Sequence, residues 1–533
     1  MITALTLMRS QQAYREGNVL PEVRNAADFV INSPIEEGLG ESTALIYEQS
    51  KISFNQLKSR VARHGNALKA QGVGSGDRVL FLLDDQPDLV AAYLAAMKIG
   101  AVAVAYNIRA TANDLKYAIE NSQCKLLYVS DIFLDRYLDI EPSLESKPLV
   151  VVDQVNSRGF PSIEDFIAGQ SDHLETAATR PSDAAFWIYT SGTTGKPKAA
   201  VHQHKDVAIA AVHVAQYQNV QAGERVMCTS KLFFAYSLGH ILFGALPLGA
   251  CVVLMKAWPD PTKTAELIAK QKPRVVYSVP AMYRNMLNAG AVTPDTFSSV
   301  RQCVSAGEKL PEQLFKRWET TTGLPIMEGI GCSEALIIFM ANSPDSYRPG
   351  SCGKTVPWAK ARLVDEHGAI VEQPDTPASL QIKHPALFDH YWQRPEQTQA
   401  AFDDGWYKTG DIFSVDCDGW WTHLGRNDDM LKISGQWVSP DEIEDLVREV
   451  AEVNDAAIVD ITNESGLTRM ALFVEIGEAA ASSTEVDRLL ENTRQHLNQN
   501  LPGYKIPRII HFLNELPRTS TGKLRRFELR EAL

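Results

Sequence analysis

The stretch AAFWIYTSGTTGKPK, residues 184–198, joins an apolar run to a loop rich in glycine, hydroxyl groups and lysine. The apolar run predicts a buried β-strand, and the residues that follow it predict a flexible turn. Backbone N–H groups, serine and threonine hydroxyls and a mobile lysine such as Lys198 can together surround a polyphosphate. A polar surface turn that binds nothing is the alternative, because the same residue types are common in turns.

The spacing of this loop excludes one familiar phosphate-binding motif. A Walker A loop needs the pattern GxxxxGK[ST], but here Gly192 precedes Gly195 by three positions and Lys196 is followed by Pro197. The chain is therefore not predicted to be a P-loop NTPase, although such a loop suits the departure of pyrophosphate.

On both sides of the loop, helix-like and strand-like segments alternate. Residues 57–72 and 88–100 carry apolar side chains at helical spacing. This alternation predicts doubly wound α/β sheets, whose ligand sites gather beyond the carboxyl ends of the strands. Buried strands are predicted at 77–83, 101–106, 124–130, 148–153, 184–191, 250–255, 274–280 and 300–307.

The last third of the chain has a different pattern. From about residue 360, short strand-like pieces predict a β-rich subdomain, and a domain boundary is predicted within residues 425–435. Beyond it, Ser439 occupies an N-cap position and Pro440 the first turn of a predicted helix. The remaining residues, roughly 100 in number, predict a small α/β domain.

Composition narrows the class of protein. The 533 residues exceed the size of a single hydrophobic core, and 45% hydrophobic with 22% charged residues is typical of a globular protein. The formal net charge of −13 disfavours nucleic acid as a partner. Seven scattered cysteines without a CxxC pair indicate a reducing, cytoplasmic setting with no cysteine-based metal site. Neither a signal peptide nor a membrane span is predicted.

Ten residues of the opening stretch, YTSGTTGKPK (189–198), resemble the signature of the adenylate-forming superfamily, which comprises acyl-CoA synthetases, adenylation domains and luciferases. Further motifs follow in the family's order across essentially the whole chain. The resemblance implies a large N-terminal domain of doubly wound sheets with a β-rich subdomain, residues 1–426, and a small mobile C-terminal α/β domain, residues 427–533, with a hinge near Asp428. The matching motifs are SAGE (305–308), EGIGCSE (328–334), WYKTGD (406–411), GRNDDMLK (425–432) and PRTSTGKLRR (517–526).

The resemblance also assigns roles to individual residues. Lys523 is implied to catalyse adenylation, Glu334 to associate with Mg²⁺, and Arg426 to lie near the ribose and phosphate. Asp411 is implied to accept both ribose hydroxyls, and the segments 305–308 and 328–334 to be two loops that enclose adenine. Taken singly, these motifs also fit a helix N-terminal acid, a turn, a charged hairpin and a solvated lysine. The implied ATP-binding residues are Thr190, Ser191, Gly192, Thr193, Thr194, Gly195, Lys198, Ala306, Gly307, Glu308, Glu328, Gly329, Ile330, Gly331, Ser333, Asp411, Arg426 and Lys523.

Within the superfamily, the strings KLFFAYSLGH (231–240), VPAMYRNML (279–287) and SGQWVSPDEIE (434–444) look most like benzoate-CoA ligases and their aryl-CoA ligase relatives. This chain has Ile337 where relatives usually carry histidine, and His240 where asparagine is common. These departures either make the acyl pocket more apolar or relocate its polar contact. The acyl pocket implied by the resemblance contains Ala235, Tyr236, His240, Gly331 and Ile337, and the implied CoA tunnel contains Gly435 and Trp437.

The resemblance implies an ATP-, Mg²⁺- and CoA-dependent ligase that converts an aromatic carboxylate, through an acyl-adenylate, into an aryl-CoA thioester. A stand-alone adenylation enzyme that loads a separate carrier protein is one alternative, and a non-catalytic nucleotide-binding protein is another. The intact positions Lys523, Glu334, Asp411 and Arg426 argue against the last of these. The sequence leaves open which acid is used and whether the chain is a monomer or a homodimer.

Overall fold

The computed structural model describes residues 20–155, 158–190, 196–427, 431–433, 436–462, 468–476, 483–518 and 524–533. The chain forms two compact units, residues 1–361 with 382–407 and residues 362–381 with 408–533. The α/β fold predicted from the sequence is confirmed. The domain boundary between residues 426 and 427 stays a prediction.

The first unit contains two large mixed sheets with helices packed against them. Its strands are β1 (Thr43–Tyr47), β2 (Ser50–Ser53), β3 (Arg78–Leu82), β4 (Val102–Ala105), β5 (Leu126–Val129), β6 (Leu149–Val152), β7 (Ala184–Thr190), β8 (Lys198–Gln203), β9 (Arg225–Cys228), β10 (Cys251–Leu254), β11 (Val275–Ser278), β12 (Gln302–Ser305), β13 (Ile326–Gly331), β14 (Ile338–Ala341) and β15 (Lys354–Thr355).

The remaining strands follow the change of pattern near residue 360. They are β16 (Lys360–Val364), β17 (Ala378–Lys383), β18 (His390–Tyr391), β19 (Phe402–Asp403), β20 (Trp406–Val415), β21 (Trp421–Arg426), β22 (Leu431–Ile433), β23 (Gln436–Val438), β24 (Val453–Thr462), β25 (Thr468–Ile476) and β26 (Ile509–Leu513). The helices are α1 (Ala26–Glu36), α2 (Phe54–Ala70), α3 (Pro87–Lys98), α4 (Ala112–Ser122), α5 (Leu134–Ile140), α6 (Ile163–Ile167), α7 (Val207–Tyr217), α8 (Ala235–Ser237), α9 (Pro261–Gln271), α10 (Pro280–Asn288), α11 (Glu312–Thr322), α12 (Pro395–Ala401), α13 (Pro440–Arg448), α14 (Ser483–Asn500) and α15 (Arg526–Glu531).

The two large sheets share one design, a parallel centre with antiparallel edges. One has the strand order β18-β8-β7-β4-β3-β5-β6, in which β7, β8 and β18 pair antiparallel. The other has the order β15-β14-β13-β12-β11-β9-β10-β1-β2, in which β14 and β15 form one antiparallel edge and β2 the other. The central strands are buried, as parallel strands covered by helices are.

Local sequence signals explain where individual elements begin and end. Helix α2 starts after Ser53, whose side chain forms a capping box with Gln56, and Gly72 follows its end with a φ of 77°. Helix α13 starts after Ser439 with Pro440 in its first turn, but the Ser439 side chain makes no capping hydrogen bond. Each helix and strand that the periodicity predicted in the first unit is present in the structure, with ends shifted by a few residues.

One part of the sequence interpretation is wrong. Residues 328–331 were expected to lie in a loop, but Glu328, Gly329, Ile330 and Gly331 belong to strand β13. Glu328 pairs in parallel with Ser305 of β12, and Gly329, Ile330 and Gly331 pair antiparallel with β14. Two glycines in four residues weaken the strand signal, and it is the pairing on both sides that supplies the missing order.

The second unit contains a small sheet of β24, β25 and β26 and a buried network of charges. The Glu444 carboxylate is buried and accepts from the Arg526 Nη2 atom at 2.7 Å and 3.0 Å, and from the Ile458 N–H at 2.7 Å. Arg448 lies between Glu444 and Asp455, which also pairs with Arg518. These ion pairs fasten the C-terminal residues to the sheet.

Replacing Arg526 by alanine is expected to lower the free energy of unfolding by about 3 kcal/mol, because the buried Glu444 carboxylate loses one of its two cationic partners among the described residues. Denaturant unfolding measures the change. Arg530→Ala is the matched control, since Arg530 pairs with Asp460 at the surface, and its effect is expected to stay below about 1 kcal/mol. Equal effects of the two substitutions would contradict this account of the network.

Candidate active site

The connection between β7 and β8 carries the predicted anion-binding loop. The two strands pair antiparallel up to Thr190 and Lys198, so both ends of the loop lie side by side. Lys198 Nζ lies 4.3 Å from the ring centroid of Tyr391, on the neighbouring strand β18. The predicted residues Ser191, Gly192, Thr193, Thr194 and Gly195 lie outside the described residues.

Tyr391 also contacts the predicted metal-associated carboxylate. Its hydroxyl donates to Glu334 Oε1 at 2.6 Å, and the Phe388 N–H donates to the Glu334 carbonyl oxygen at 2.7 Å. Burial, together with the Glu334 charge, raises the pKa of Tyr391 far above its usual range, so the phenol stays a donor. One tyrosine therefore contacts both Lys198 and Glu334.

A buried histidine, His202, contacts the backbone of the segment that carries Glu334. His202, on β8, places Nε2 2.8 Å from the Ser333 carbonyl oxygen and Nδ1 3.1 Å from Asp206 Oδ2. Its ring stacks on Phe186 of β7 with a centroid distance of 5.0 Å. Strands β7 and β8, which flank residues 191–195 in the chain, therefore also hold the segment that carries Glu334.

Two of the remaining predicted nucleotide-binding segments lie at the ends of β12 and β13. Ala306 is buried, whereas Gly307, with a φ of 92°, and Glu308 are exposed. Glu328 is buried, and its Oε1 accepts from the Leu310 N–H at 3.1 Å. The Glu328 carboxylate thus holds the chain that follows the SAGE motif rather than pointing into solvent.

The predicted acyl-pocket residues lie close together in the first unit. Ala235 and Tyr236 are partly exposed, and the Tyr236 hydroxyl donates to the Val304 carbonyl oxygen at 3.0 Å. His240 follows in a π-helical turn, Leu238–Ala245, with Nδ1 2.8 Å from the Tyr236 carbonyl oxygen. π-Helical turns frequently occur at functional sites.

Two glycines, Gly239 and Gly331, allow the backbone of Leu336 and Ile337 to pack closely against this region. A Cβ at Gly239 would lie 2.7 Å from the Leu336 carbonyl oxygen and 3.2 Å from Ile337 Cδ1, and one at Gly331 would lie 2.8 Å from the Ile337 carbonyl oxygen. Leu336 itself has a φ of 62°, a conformation that costs energy for a bulky residue. Gly331, Ile337 and the turn that bears His240 are therefore packed against one another.

The second unit holds the predicted ribose-binding aspartate. Arg426 Nη1 donates to Asp411 Oδ1 at 2.9 Å and to the Thr409 carbonyl oxygen at 2.9 Å, and His423 Nε2 lies 3.5 Å from Asp411 Oδ1. Burial would raise the pKa of Asp411, but the hydrogen bond from His423 and the Arg426 charge outweigh it, and the pKa is lowered. Asp411 is thus an ionised acceptor at neutral pH.

Several predicted residues are not placed by the structure. Asp428, Gly435 and Lys523 lie outside the described residues, and Trp437 belongs to β23 but its side chain is not described. Arg518 and Leu524 form an antiparallel bridge on either side of Lys523 in the sequence. The expected roles of these four residues stay predictions.

Sequence reasoning missed Tyr391, His202 and His423. Tyr391 and His202 lie in strands of otherwise ordinary composition, and a single sequence holds no signal for their partners. His423 could have been found, because strand β21 pairs antiparallel with β20 and brings His423 next to Asp411.

These side chains are suited to bind an anion together with a hard metal cation such as Mg²⁺. Within the described part of the chain, no group of three or more histidine, cysteine, aspartate or glutamate side chains forms a metal cage. A single buried carboxylate, Glu334, matches the way Mg²⁺ is held when phosphate oxygens and water supply the other ligands. None of the described helices is both long and apolar enough to cross a membrane.

Comparisons with known proteins identify the family to which the chain is similar. Residues 36–392 match the model of the AMP-binding enzyme family, and residues 442–523 match that of the AMP-binding enzyme C-terminal domain. The chain is 47% identical over 509 residues to a 3-hydroxybenzoate–CoA ligase of Aromatoleum sp. (strain CIB), covering 96% of this chain and 97% of that protein.

Two further proteins are similar over nearly the whole chain. A 3-hydroxybenzoate–CoA/4-hydroxybenzoate–CoA ligase of Thauera aromatica is 47% identical over 511 residues, which covers 96% of this chain and 97% of that protein. The crystal structure of the anthranilate CoA ligase AuaEII in complex with anthranoyl-AMP superposes with a TM-score of 0.89 at 32% identity, covering 96% of this chain and 98% of that one.

Replacing Gly239 by alanine is expected to lower the free energy of unfolding by about 1–3 kcal/mol, because the added methyl group meets the backbone at Leu336. Gly74→Ala is the control, since its Cβ would come no closer than 3.9 Å to any neighbour and its φ is not positive. Denaturant unfolding compares the two variants. An unchanged Gly239→Ala stability would contradict the close approach.

Proposed function

The chain belongs to the family of AMP-binding enzymes, and we propose on that premise that it is an ATP-dependent aryl-CoA ligase. It joins an aromatic carboxylic acid of the benzoate or substituted benzoate class to coenzyme A and releases AMP and pyrophosphate. The observation that carries this function is the contact of Tyr391 with both Glu334 and Lys198, which brings a carboxyl group and a lysine to the first residue of strand β8.

In the first half-reaction, a carboxylate oxygen of the acid attacks the α-phosphorus of ATP, and the bond to pyrophosphate breaks. Lys198 and residues 191–195 bind the β- and γ-phosphates. Glu334 would hold Mg²⁺, and the ion would supply positive charge that neutralises the phosphates. Asp411 accepts the ribose hydroxyls, while Arg426 fixes Asp411 and contacts phosphate. Lys523 offsets the negative charge that accumulates as the two anions meet.

In the second half-reaction, the CoA thiol attacks the carbonyl carbon of the acyl-adenylate and AMP departs. We propose that residues 427–533 move between the two steps about a hinge near Asp428, after which Gly435 and Trp437 line the pantetheine tunnel. Such a movement lets one protein carry out two chemistries in sequence.

The first substrate to test is 3-hydroxybenzoate, on which both of the 47% identical relatives are named to act. Tyr236 is partly exposed, and its ring is proposed to form an aromatic wall for a planar acid, while Gly331 lets the Ile337 backbone approach this region. Free CoA is favoured over a carrier protein as the acceptor, because these relatives are named CoA ligases over nearly the whole chain.

The finer surroundings of the reaction are also proposed. None of the seven cysteines, all of which lie in the described part of the chain, forms a disulfide bond, and six of them are at least partly buried, which suits a reducing cytoplasmic setting. ATP, the acid and CoA are the only partners that the reaction requires, and neither nucleic acid nor a membrane is needed. The chain acts as a monomer or as a homodimer.

ATP–pyrophosphate exchange tests the substrate class. Exchange is expected with benzoate and hydroxybenzoates at least about 100-fold faster than with acetate or propionate, because only a ring fills the space beside Tyr236. Absence of aryl-dependent exchange would refute the aryl assignment. Free CoA is then expected to convert the reaction into steady AMP release, whereas AMP release with a carrier protein but not with CoA would favour the alternative.

The Lys523→Ala variant tests the division of labour between the two steps. Adenylation is expected to fall by about 1,000-fold, because the charge on the meeting anions is no longer offset. Conversion of preformed aryl-AMP and CoA to the thioester is expected to change less than about threefold. Arg530→Ala, which alters a surface ion pair of the same unit, is the control. Equal loss in both steps would contradict a role confined to the first.

A further inference from the structure

His240 is a buried histidine that has, within the described part of the chain, one paired and one unpaired ring nitrogen. Its ring is fully buried, and Nδ1 lies 2.8 Å from the Tyr236 carbonyl oxygen. A carbonyl oxygen only accepts hydrogen bonds, so Nδ1 carries the proton. Burial lowers the pKa of His240 to about 4, so the ring is neutral at physiological pH and Nε2 is a bare acceptor.

Among the residues that the structure describes, no group donates a hydrogen bond to this Nε2 acceptor. The rings of Tyr236, Tyr277 and His213 surround it at centroid distances of 4.7 Å, 4.8 Å and 5.6 Å. Buried polar atoms are normally paired, and those that are not need an explanation such as a ligand.

His240 lies next to the residues assigned to the acyl pocket. It lies one helical turn beyond Tyr236, the partly exposed ring assigned to the acyl pocket. The preceding Gly239 packs against Leu336 and Ile337. Ile337 fills its position with an apolar side chain, so this wall of the pocket offers no polar side-chain group there. The acceptor is thus present at 240 and lacking at 337.

We propose that His240 Nε2 accepts a hydrogen bond from a donor group on the ring of the aromatic acid, and that this contact selects hydroxy- and amino-substituted benzoates. The inference rests on the aryl-CoA ligase function proposed above and adds to it the polarity of the ring substituent. His240 is a specificity-determining residue that binds the substrate away from the reacting carboxylate.

The direction of this hydrogen bond restricts the substrate to rings that carry a hydrogen-bond donor, and not merely to polar rings. A neutral imidazole with its proton on Nδ1 can only accept at Nε2, so the substituent must donate. Hydroxyl and amino groups donate, whereas methoxy, methyl and chloro groups of comparable size do not. A site that holds an unpaired acceptor rejects substrates lacking the donor more strongly than an apolar site does.

The first test uses the unaltered enzyme and a panel of 3-substituted benzoates in ATP–pyrophosphate exchange. The value of kcat/KM is expected to be about 10–100-fold higher for 3-hydroxy- and 3-aminobenzoate than for 3-methyl-, 3-methoxy- and 3-chlorobenzoate. Equal values across the panel would overturn the inference and leave the aryl-CoA ligase function intact. Absence of exchange with every aryl acid would overturn both.

The second test uses His240→Leu, which removes the acceptor from the pocket. The ratio of kcat/KM for 3-hydroxybenzoate to that for 3-methylbenzoate is expected to fall to about 1. A preserved ratio would overturn the inference. His240→Asn provides a second variant if the leucine protein does not fold, and its amide oxygen is expected to preserve part of the ratio.

The matched control is His204→Leu. His204 is also buried, burial lowers its pKa to about 4, and its Nε2 has no partner among the described residues. Its Nδ1 accepts from the Ala26 N–H at 3.0 Å, at the start of α1 rather than beside Tyr236. The substrate ratio is expected to stay unchanged in this variant, and an equal collapse would mean that loss of any buried histidine alters selectivity.

Discussion

The hydrogen bond from the Tyr391 hydroxyl to Glu334 is the interaction on which the rest of this site depends. Glu334 is only 7% exposed, and a carboxyl group buried to that degree needs a hydrogen-bond partner. Tyr391 supplies that partner and also presents its ring to Lys198. One tyrosine thereby links a buried carboxyl group to the lysine at the start of strand β8.

Two further contacts fix Tyr391 and Glu334 relative to strand β8. His202 joins β8 to the Ser333 carbonyl oxygen, and the antiparallel pairing of β18 with β8 places Tyr391 opposite Ala200. Antiparallel edges on otherwise parallel sheets thus serve a purpose, since they return the chain to the carboxyl ends of the parallel strands, where ligands bind in α/β proteins.

The region assigned to the acyl group is held together by close packing of backbone segments, whereas charged and polar contacts organise the surroundings of Glu334. Gly239 and Gly331 let backbone segments meet around Leu336, whose φ of 62° is maintained by packing on all sides. The same compactness leaves His240 Nε2 enclosed but unpaired. A rigid, largely apolar pocket with one acceptor can discriminate between substituents of equal size, because discrimination then depends on hydrogen bonding and not on volume.

Much of this could be read from the sequence alone. The strands and helices of the first unit were predictable because periodicity and glycine or proline stops are local signals. The motif residues Glu334, Asp411 and Arg426 were found because their spacing within short strings resembles a known superfamily. Strand β13 was misassigned because Gly329 and Gly331 give weak local signals, and its order comes from pairing with β12 and β14.

The sequence by itself determined the elements, the superfamily and the reaction, since each is encoded in short contiguous strings. Only the tertiary structure decided which distant side chains meet. Tyr391 and Glu334 are 57 positions apart, and nothing local to either residue indicates the other. Likewise, the proton on Nδ1 of His240 follows from the turn that brings it to the Tyr236 carbonyl oxygen. Such pairings depend on how separate elements pack, and packing is a property of the whole fold.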